Sequence, residues 1–322
     1  MVGNEKRWKT ADAVLASLVS FLESEIQDDF PVECACSVEQ LAEYLADTDA
    51  VGSHRREEIS KLDDFQTFQS VLVAEVPEGV RIFHHRWVDT SEKSRLTLKD
   101  LKCYKSDPVV EKSCPTPSQM ANGMFDWWVI RYKKAMIIFD VVSAFPHAAE
   151  RNEQIYMWPP EEWLADQGIV PGSVVWHMLQ TLYGRGSAGE SFRLLFEAII
   201  ISVPGFGFKM LHHEPCIYFS ESKGSLIIHH IDDGRVGAES EDIRAITSWM
   251  AQYLLLKLSG EIGLNDGYKY LNRIRIRLED GWATLADPKH MKKICDKMQD
   301  DAQLQYSHRW KRGNRELILL RV

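Results

Sequence analysis

No apolar run in this 322-residue chain reaches the roughly 20 residues that crossing a bilayer requires, so no membrane partner is expected. Cys-x-x-Cys pairs are absent, and the six cysteines, Cys34, Cys36, Cys103, Cys114, Cys216 and Cys295, lie scattered. Cys34-x-Cys36 has no second pair to complete a zinc site of the usual spacing, so reduced thiols in a reducing compartment are expected. Positive charge is scarce: 38 Lys and Arg against 47 Asp and Glu leave a net charge of −9. That balance excludes a protein whose whole surface hugs nucleic acid. The charges are not evenly spread, however. Acids gather at Glu57, Glu58, Asp63, Asp64 and Glu239-Ser-Glu-Asp242, whereas Arg131-Tyr-Lys-Lys134, Arg273-Ile-Arg-Ile-Arg277 and the stretch from Lys289 to Lys297 are basic. A local basic groove fits such a distribution. Internal repeats and low-complexity tracts are also missing.

The apolar stretch Ala13 to Leu22 follows Lys6, Arg7 and Lys9 but leads to no small-x-small cleavage site. Its Val14, Leu15, Leu18, Phe21 and Leu22 recur at helical spacing, so an amphipathic helix in a cytoplasmic or nuclear, non-secreted protein is expected. A second helical stretch spans Val38 to Ala46, and residues 1–55 read as an unassigned extension. A mixed helix-like segment follows from Glu58. Val80 to Val88 is rich in β-branched and aromatic residues and reads as one strand, with residues 91–101 pairing back on it. Ser118, after Pro115 and Pro117, is a candidate N-cap for a helix to about Lys133. Ala135-Met-Ile-Ile-Phe139 is a short continuous apolar run, the pattern of a strand buried on both faces, and it ends in Asp140. Further strands are expected at Val174–Leu179, Cys216–Phe219, Leu226–Ile231 and Tyr268–Leu278, with helices at Ser191–Ser202 and Asp242–Leu258. Asp232-Asp-Gly234 reads as the hairpin turn to Arg235-Val-Gly237. This order predicts an α+β fold, a sheet with helices packed on one face.

Asp140 taken alone reads most simply as a cap or turn residue, and Asp232-Asp-Gly234 as a turn. Together they suit another chemistry. Two-metal phosphoryl transfer needs carboxylates close enough to hold two divalent ions roughly 3.5–4 Å apart. Magnesium prefers a few carboxylates plus waters and phosphates over a closed cage. The pairs His84-His85, His212-His213 and His229-His230 are less promising as metal ligands. Neighbours on a strand point to opposite faces, which divides each pair.

Here a resemblance becomes specific. Asp140-Val-Val-Ser-Ala-Phe145 resembles the first motif of the reverse-transcriptase family, an Asp followed four and five residues on by Ala and an aromatic. His230-Ile-Asp-Asp233 resembles the Tyr-Val-Asp-Asp of its copia-type retrotransposon members. In the same order, Glu153-Gln-Ile-Tyr-Met157 with Pro160-Glu161, Leu182-Tyr-Gly184, Gly207-Phe208 and Glu214-Pro-Cys216 resemble copia-type signatures. So do Arg86-Trp-Val88, Lys93-Ser-Arg-Leu96 with Lys99, Ser259-Gly-Glu-Ile262 and Lys269-Tyr-Leu271. The likeness covers roughly residues 57 to 295.

The resemblance implies an RNA-directed DNA polymerase domain, part of a larger Pol polyprotein. Its architecture would be a right hand with an antiparallel palm sheet backed by helices: fingers at 56–134, palm with the metal site at 135–300, and a tail at 301–322. Asp140, Asp232 and Asp233 would be catalytic and bind two magnesium or manganese ions, with the carbonyl of Val141 as an extra ligand. Phe145 would exclude a 2′-hydroxyl, Tyr183 and Gly184 would shape the nucleotide pocket, and Lys93, Arg95 and Lys99 would approach the triphosphate. The partners would be an RNA or DNA template-primer and deoxynucleoside triphosphates. Four departures stand out. His230 replaces the usual Tyr, and Gly184-Arg-Gly-Ser-Ala-Gly189 replaces Gly-Leu-Lys-Gln-Ala-Pro. Asn272 stands where Gly is expected in the region that should hold the primer, and the hairpin between Trp87 and Lys93 is short. With the acidic balance they mark a diverged or decaying copy, so a silent remnant that binds nucleic acid or protein is the alternative.

Overall fold

The computed structural model describes residues 48–100, 114–151, 154–271, 273–286 and 292–297. The helices expected at 13–22 and 38–46, Cys34, Cys36, Cys103, Glu153, Asn272, Lys289 and the tail lie outside the described residues. In chain order the elements are α1 (Thr48–Asp64), β1 (Phe68–Leu72), β2 (Ile82–Phe83), β3 (His85–Asp89), β4 (Ser94–Leu98), α2 (Gln119–Arg131) and β5 (Ala135–Val141). Then come β6 (Ile155–Met157), α3 (Glu161–Gln167), β7 (Val174–Met178), α4 (Ala188–Ile201), β8 (Lys209–Leu211), β9 (Glu214–Ser220), β10 (Ser225–His230) and β11 (Asp233–Ala238). The chain continues through α5 (Ser240–Met250), β12 (Leu256–Leu258), β13 (Gly267–Tyr270), β14 (Arg273–Arg277) and β15 (Trp282–Ala286). No helix among the described residues is long and apolar enough to cross a membrane.

The centre is a six-stranded antiparallel sheet in the order β12-β5-β11-β10-β9-β8. Side chains alternate between its faces, so the apolar strands β5 and β10 need cover on both. Ile137, Phe139, Val141, Ile227 and Val236 pack against Phe192, Phe196, Ile199 and Ile200 of α4 and Ile243, Ile246 and Met250 of α5. On the opposite face, Met136, Leu226 and Ile228 meet Ala121, Phe125 and Val129 of α2 together with Tyr268 and Tyr270 of β13. The spacing i, i+4, i+8 along α2 brings those three residues onto one stripe. Helices therefore cover both faces, a correction to the one-face expectation.

A four-stranded sheet, β1-β7-β6-β2, and the β3-β4 ribbon form a second layer with α1. Ile59 and Leu62 of α1 pack there on Leu96, Leu98, Met157 and Trp176. This sheet takes strands from both sides of residue 135, while α2 packs on the six-stranded sheet.

Several other boundaries differ from expectation. α1 starts at Thr48, so residue 55 falls inside it. The strand expected at 80–88 is two strands in different sheets, β2 pairing with β6 and β3 with β4. The helix expected to run to Leu258 stops at Met250, and Leu256–Leu258 becomes an edge strand on β5. The strand expected at 268–278 is the β13-β14 hairpin, with Leu271 at a positive φ of 48° in its turn. Apolar composition alone does not separate one long element from two short ones in such stretches. Ser118 does cap α2: its hydroxyl oxygen accepts from the Ala121 N–H at 3.0 Å.

Candidate active site

β5 and β11 lie side by side with Asp140 directly opposite Asp233. β10 pairs with the other edge of β11, His230 opposite Asp233. The hairpin loop is therefore Ile231-Asp232, and Asp233-Gly234 belongs to the strand, a correction to the Asp-Gly turn. Gly234 is needed for another reason: a Cβ there would lie 2.0 Å from the Phe139 ring. Gly234→Ala is accordingly expected to cost about 1–3 kcal/mol of stability by overpacking, read as a lower urea midpoint at unchanged slope.

The loop is pinned across the strand end, where the Val141 N–H donates to the Asp232 carbonyl at 2.9 Å. Ile231 sits at φ 53° and Ser143, just beyond β5, at φ 51°. A β-branched residue in the left-handed region is strained, and such strain gathers where surrounding structure dictates a functional geometry. The three aspartates feel one another. Burial, then Asp232 and Asp140, push the Asp233 carboxyl up to about 6. Among the described residues no group of three or more His, Cys, Asp or Glu side chains is placed to hold a metal ion. Asp140, Asp232 and Asp233 are all oxygen donors, the ligand class that magnesium takes together with water and phosphate.

Phe145 opens a short 3-10 turn, Phe145–His147, that follows β5. Its ring meets Tyr183 edge-on at 5.1 Å between centroids, and the Arg95 guanidinium lies 5.2 Å from the centre of the Tyr183 ring. Burial raises the Tyr183 phenol, Arg95 opposes the shift, and Glu58 and Asp232 reinforce it. Tyr183 thus packs against both Phe145 and Arg95. Gly184 has φ +84° and a Cβ there would lie 2.2 Å from the Leu98 carbonyl oxygen. This contact, with the Leu98 N–H donating to the Tyr183 carbonyl at 2.7 Å, fastens the β3-β4 ribbon to the site. Lys93, Arg95 and Lys99 are exposed and alternate with buried Ser94, Leu96 and Leu98, so all three cations share one face of the ribbon. Of these, Arg95 is the one held against Tyr183. His229 turns away from the site, stacked on Phe196 at 4.3 Å, and burial pushes it down to about 4. His230 flanks Asp233, so the pair divides between faces as alternation requires.

Two features went unread in the sequence. The loop from Gly184 to Gly189 is held by Arg185, whose guanidinium reaches Asp100 at 3.1 Å and Glu150 at 3.3 Å. Two residues along β11 from Asp233, the fully buried Arg235 donates to Asp126 at 2.5 Å, Asn122 at 2.7 Å and the Tyr268 hydroxyl at 3.1 Å. It also lies 4.4 Å and 4.5 Å from the ring centres of Phe125 and Tyr270. Arg275 donates to the other Asp126 oxygen. The signal available was a charged residue in an otherwise apolar strand, which demands a partner.

The chain is a mixed helix-and-sheet protein. It is similar to apo telomerase from Candida tropicalis at 10% identity and TM-score 0.46, covering 73% of this chain and 60% of that one. A foamy viral protease-reverse transcriptase in complex with double-stranded DNA is similar at 11% identity and TM-score 0.42, covering 76% of this chain and 36% of that one. The chain thus spans less than two thirds of either. No protein-family model matches the sequence, and no curated protein matches it.

Proposed function

We propose that this chain is a copia-type reverse-transcriptase domain that extends a primer on an RNA or DNA template. The observation that carries the reading is the cross-strand pair Asp140 and Asp233 with Asp232 in the strained loop between β10 and β11. In this reading the six-stranded sheet with α2, α4 and α5 is the palm. The four-stranded sheet, the β3-β4 ribbon and α1 are the fingers, so the strands at 155–157 and 174–178 join the 56–134 segment. Asp140, Asp232 and Asp233, with the Val141 carbonyl, would hold two magnesium or manganese ions. Bound there, the ions would activate the primer 3′-hydroxyl and neutralise charge on the pyrophosphate leaving group. Arg95, with Lys93 and Lys99 on the same face, attracts the triphosphate. Tyr183 and Gly184 form the pocket wall, and Phe145, braced by Tyr183, packs beneath the sugar and disfavours a 2′-hydroxyl.

Primer extension on poly(rA)/oligo(dT) with magnesium or manganese tests the reading, wild type against Asp232→Asn. Extension by the wild type alone is expected. If a folded wild type extends nothing, the alternative takes over, that of a silent module binding nucleic acid or protein. The net charge of −9 and the His230 substitution are what favour it.

A further inference from the structure

Helix α2 is apolar on two sides. Ala121, Phe125 and Val129 are buried on the six-stranded sheet. On the opposite side Met120, Met124 and Trp127 are 72%, 50% and 60% exposed. Arg131 continues their stripe, which runs at i, i+4, i+7 and i+11 along the helix. The exposed Tyr132, in the C-cap, meets Trp127 edge-on at 6.2 Å and widens the patch. A surface helix normally turns charged and polar residues outward, and one that is apolar all round is a buried helix. No described residue covers this stripe, so α2 has the composition of a helix with a second partner.

The chain itself supplies a segment of matching form. Val14, Leu15, Leu18, Phe21 and Leu22 fall on one face of the amphipathic helix expected at 13–22, outside the described residues. At roughly 1.5 Å per residue, Val14 to Leu22 spans about 12 Å and Met120 to Trp127 about 10 Å, so one stripe covers the other. The charges also match. Glu23, Glu25, Asp28 and Asp29 follow Leu22, while the exposed Arg131 and Lys133 stand at the end of α2. Laid parallel to α2, the segment brings its acids to that basic end. The 25 residues between Leu22 and Thr48 reach up to about 80 Å when extended, more than the roughly 50 Å across a compact chain of this length. A second copy is the poorer fit. Met120, Met124, Trp127 and Tyr132 are far fewer than the roughly 20–30 residues a side of a stable interface. A tethered segment needs no such area, because its effective concentration is high.

We propose that residues 13–22 dock as a helix on the outer face of α2, with Leu18 and Leu22 against Met120, Met124 and Trp127. The acids after Leu22 then face Arg131 and Lys133. The unbranched methionines mould to the apolar ridge that arrives. Polymerase activity plays no part in this contact.

The test is methionine oxidation of the full chain by dilute hydrogen peroxide, followed residue by residue by mass spectrometry. Wild type is compared with the double variant Leu18→Glu/Leu22→Glu, and each with itself in urea, where every thioether is open to the reagent. Protection of Met120 and Met124 is expected in the wild type. In the double variant both oxidise at least about tenfold faster, because each buried leucine shifts the docking equilibrium by that much. Met136 and Met157, buried in the core, oxidise slowly in both chains and report that the fold is intact. If they oxidise rapidly in the double variant, Arg131→Glu takes its place. This surface change is expected to speed Met120 and Met124 by about two- to fivefold. Oxidation of Met120 and Met124 in the wild type as fast as in urea overturns the proposal. Protection that survives the substitutions overturns it too, because another segment then covers α2. Protection that fades on dilution assigns the stripe to a second copy and overturns it as well.

Discussion

A chain carrying Asp233→Asn is expected to unfold at higher temperature than the wild type at pH 7 and, in the proposed function, to lose primer extension by about 10³-fold. Both effects come from the same crowding. The Asp233 carboxyl is pushed up to about 6 by burial and then by Asp232 and Asp140, against an ordinary value near 3.9. The folded value lies above the unfolded one, so between about pH 4 and 6 the folded chain holds more protons. The Asp233 contribution to stability therefore falls as pH rises through that window, and the cost of the ionised form is fully present above it. Asp233 is half-buried, and solvent screening reduces the cost to about 1–2 kcal/mol. Asparagine removes the charge and with it the Asp233 share of the pH dependence in that range. Tm of the wild type and Asp233→Asn, measured in parallel from pH 4.5 to 8 in chelator, checks the sign. Buried His229, pushed down to about 4, makes both chains gain stability with rising pH, so the readout is their difference. An advantage of the variant that does not grow from pH 5 to 7 sinks the argument. In the proposed function, magnesium or manganese raises the wild-type Tm at pH 7 and leaves Asp233→Asn nearly unmoved.

The second large effect is expected at Asp126→Ala. Asp126 bridges Arg235 and Arg275, 109 and 149 residues away in the chain, and its backbone carbonyl also accepts from the Trp282 indole at 3.0 Å. Truncation leaves two guanidinium groups in an apolar setting with no carboxylate between them. Breaking a buried ion pair from one side costs about 3–5 kcal/mol, because the surviving charge is left unpaired. A correspondingly lower urea midpoint is the readout. The triple change Asp126→Leu, Arg235→Met and Arg275→Leu separates charge from packing: it removes all three charges at similar volume and is expected to restore most of the loss. A triple variant no more stable than Asp126→Ala would show that packing, not electrostatics, holds this layer together.

Much of the candidate site is legible without the fold. Ala135-Met-Ile-Ile-Phe139 announces a strand buried on both faces, and its end fixes where Asp140 emerges. The apolar run before Asp232 and Asp233 likewise announces a central strand, and alternation alone separates His229 from His230. Ser118 is readable as a cap because capping is a local contact between neighbours in the chain. These are properties of a few consecutive residues, and their physics is short-range.

What the chain order leaves open is decided by contacts distant in sequence. Gly234 looks like half of an Asp-Gly turn until the Phe139 ring, 95 positions earlier in the numbering, is seen to occupy the space of its Cβ. Gly184 looks like a loop glycine until Leu98 approaches its backbone. The strand expected at 80–88 divides because its halves find different partners, and the one expected at 268–278 because it folds back on itself, β13 against β14; an apolar residue cannot specify which neighbour will cover it. The sequence by itself determined Asp140 at the end of its strand, the alternation of faces and the cap of α2. Only tertiary structure decided that Asp140 stands opposite Asp233, that Tyr183 packs against Arg95, and that Arg235 and Arg275 share one aspartate. Register and burial depend on which surfaces meet, and that meeting is a property of the whole packed chain.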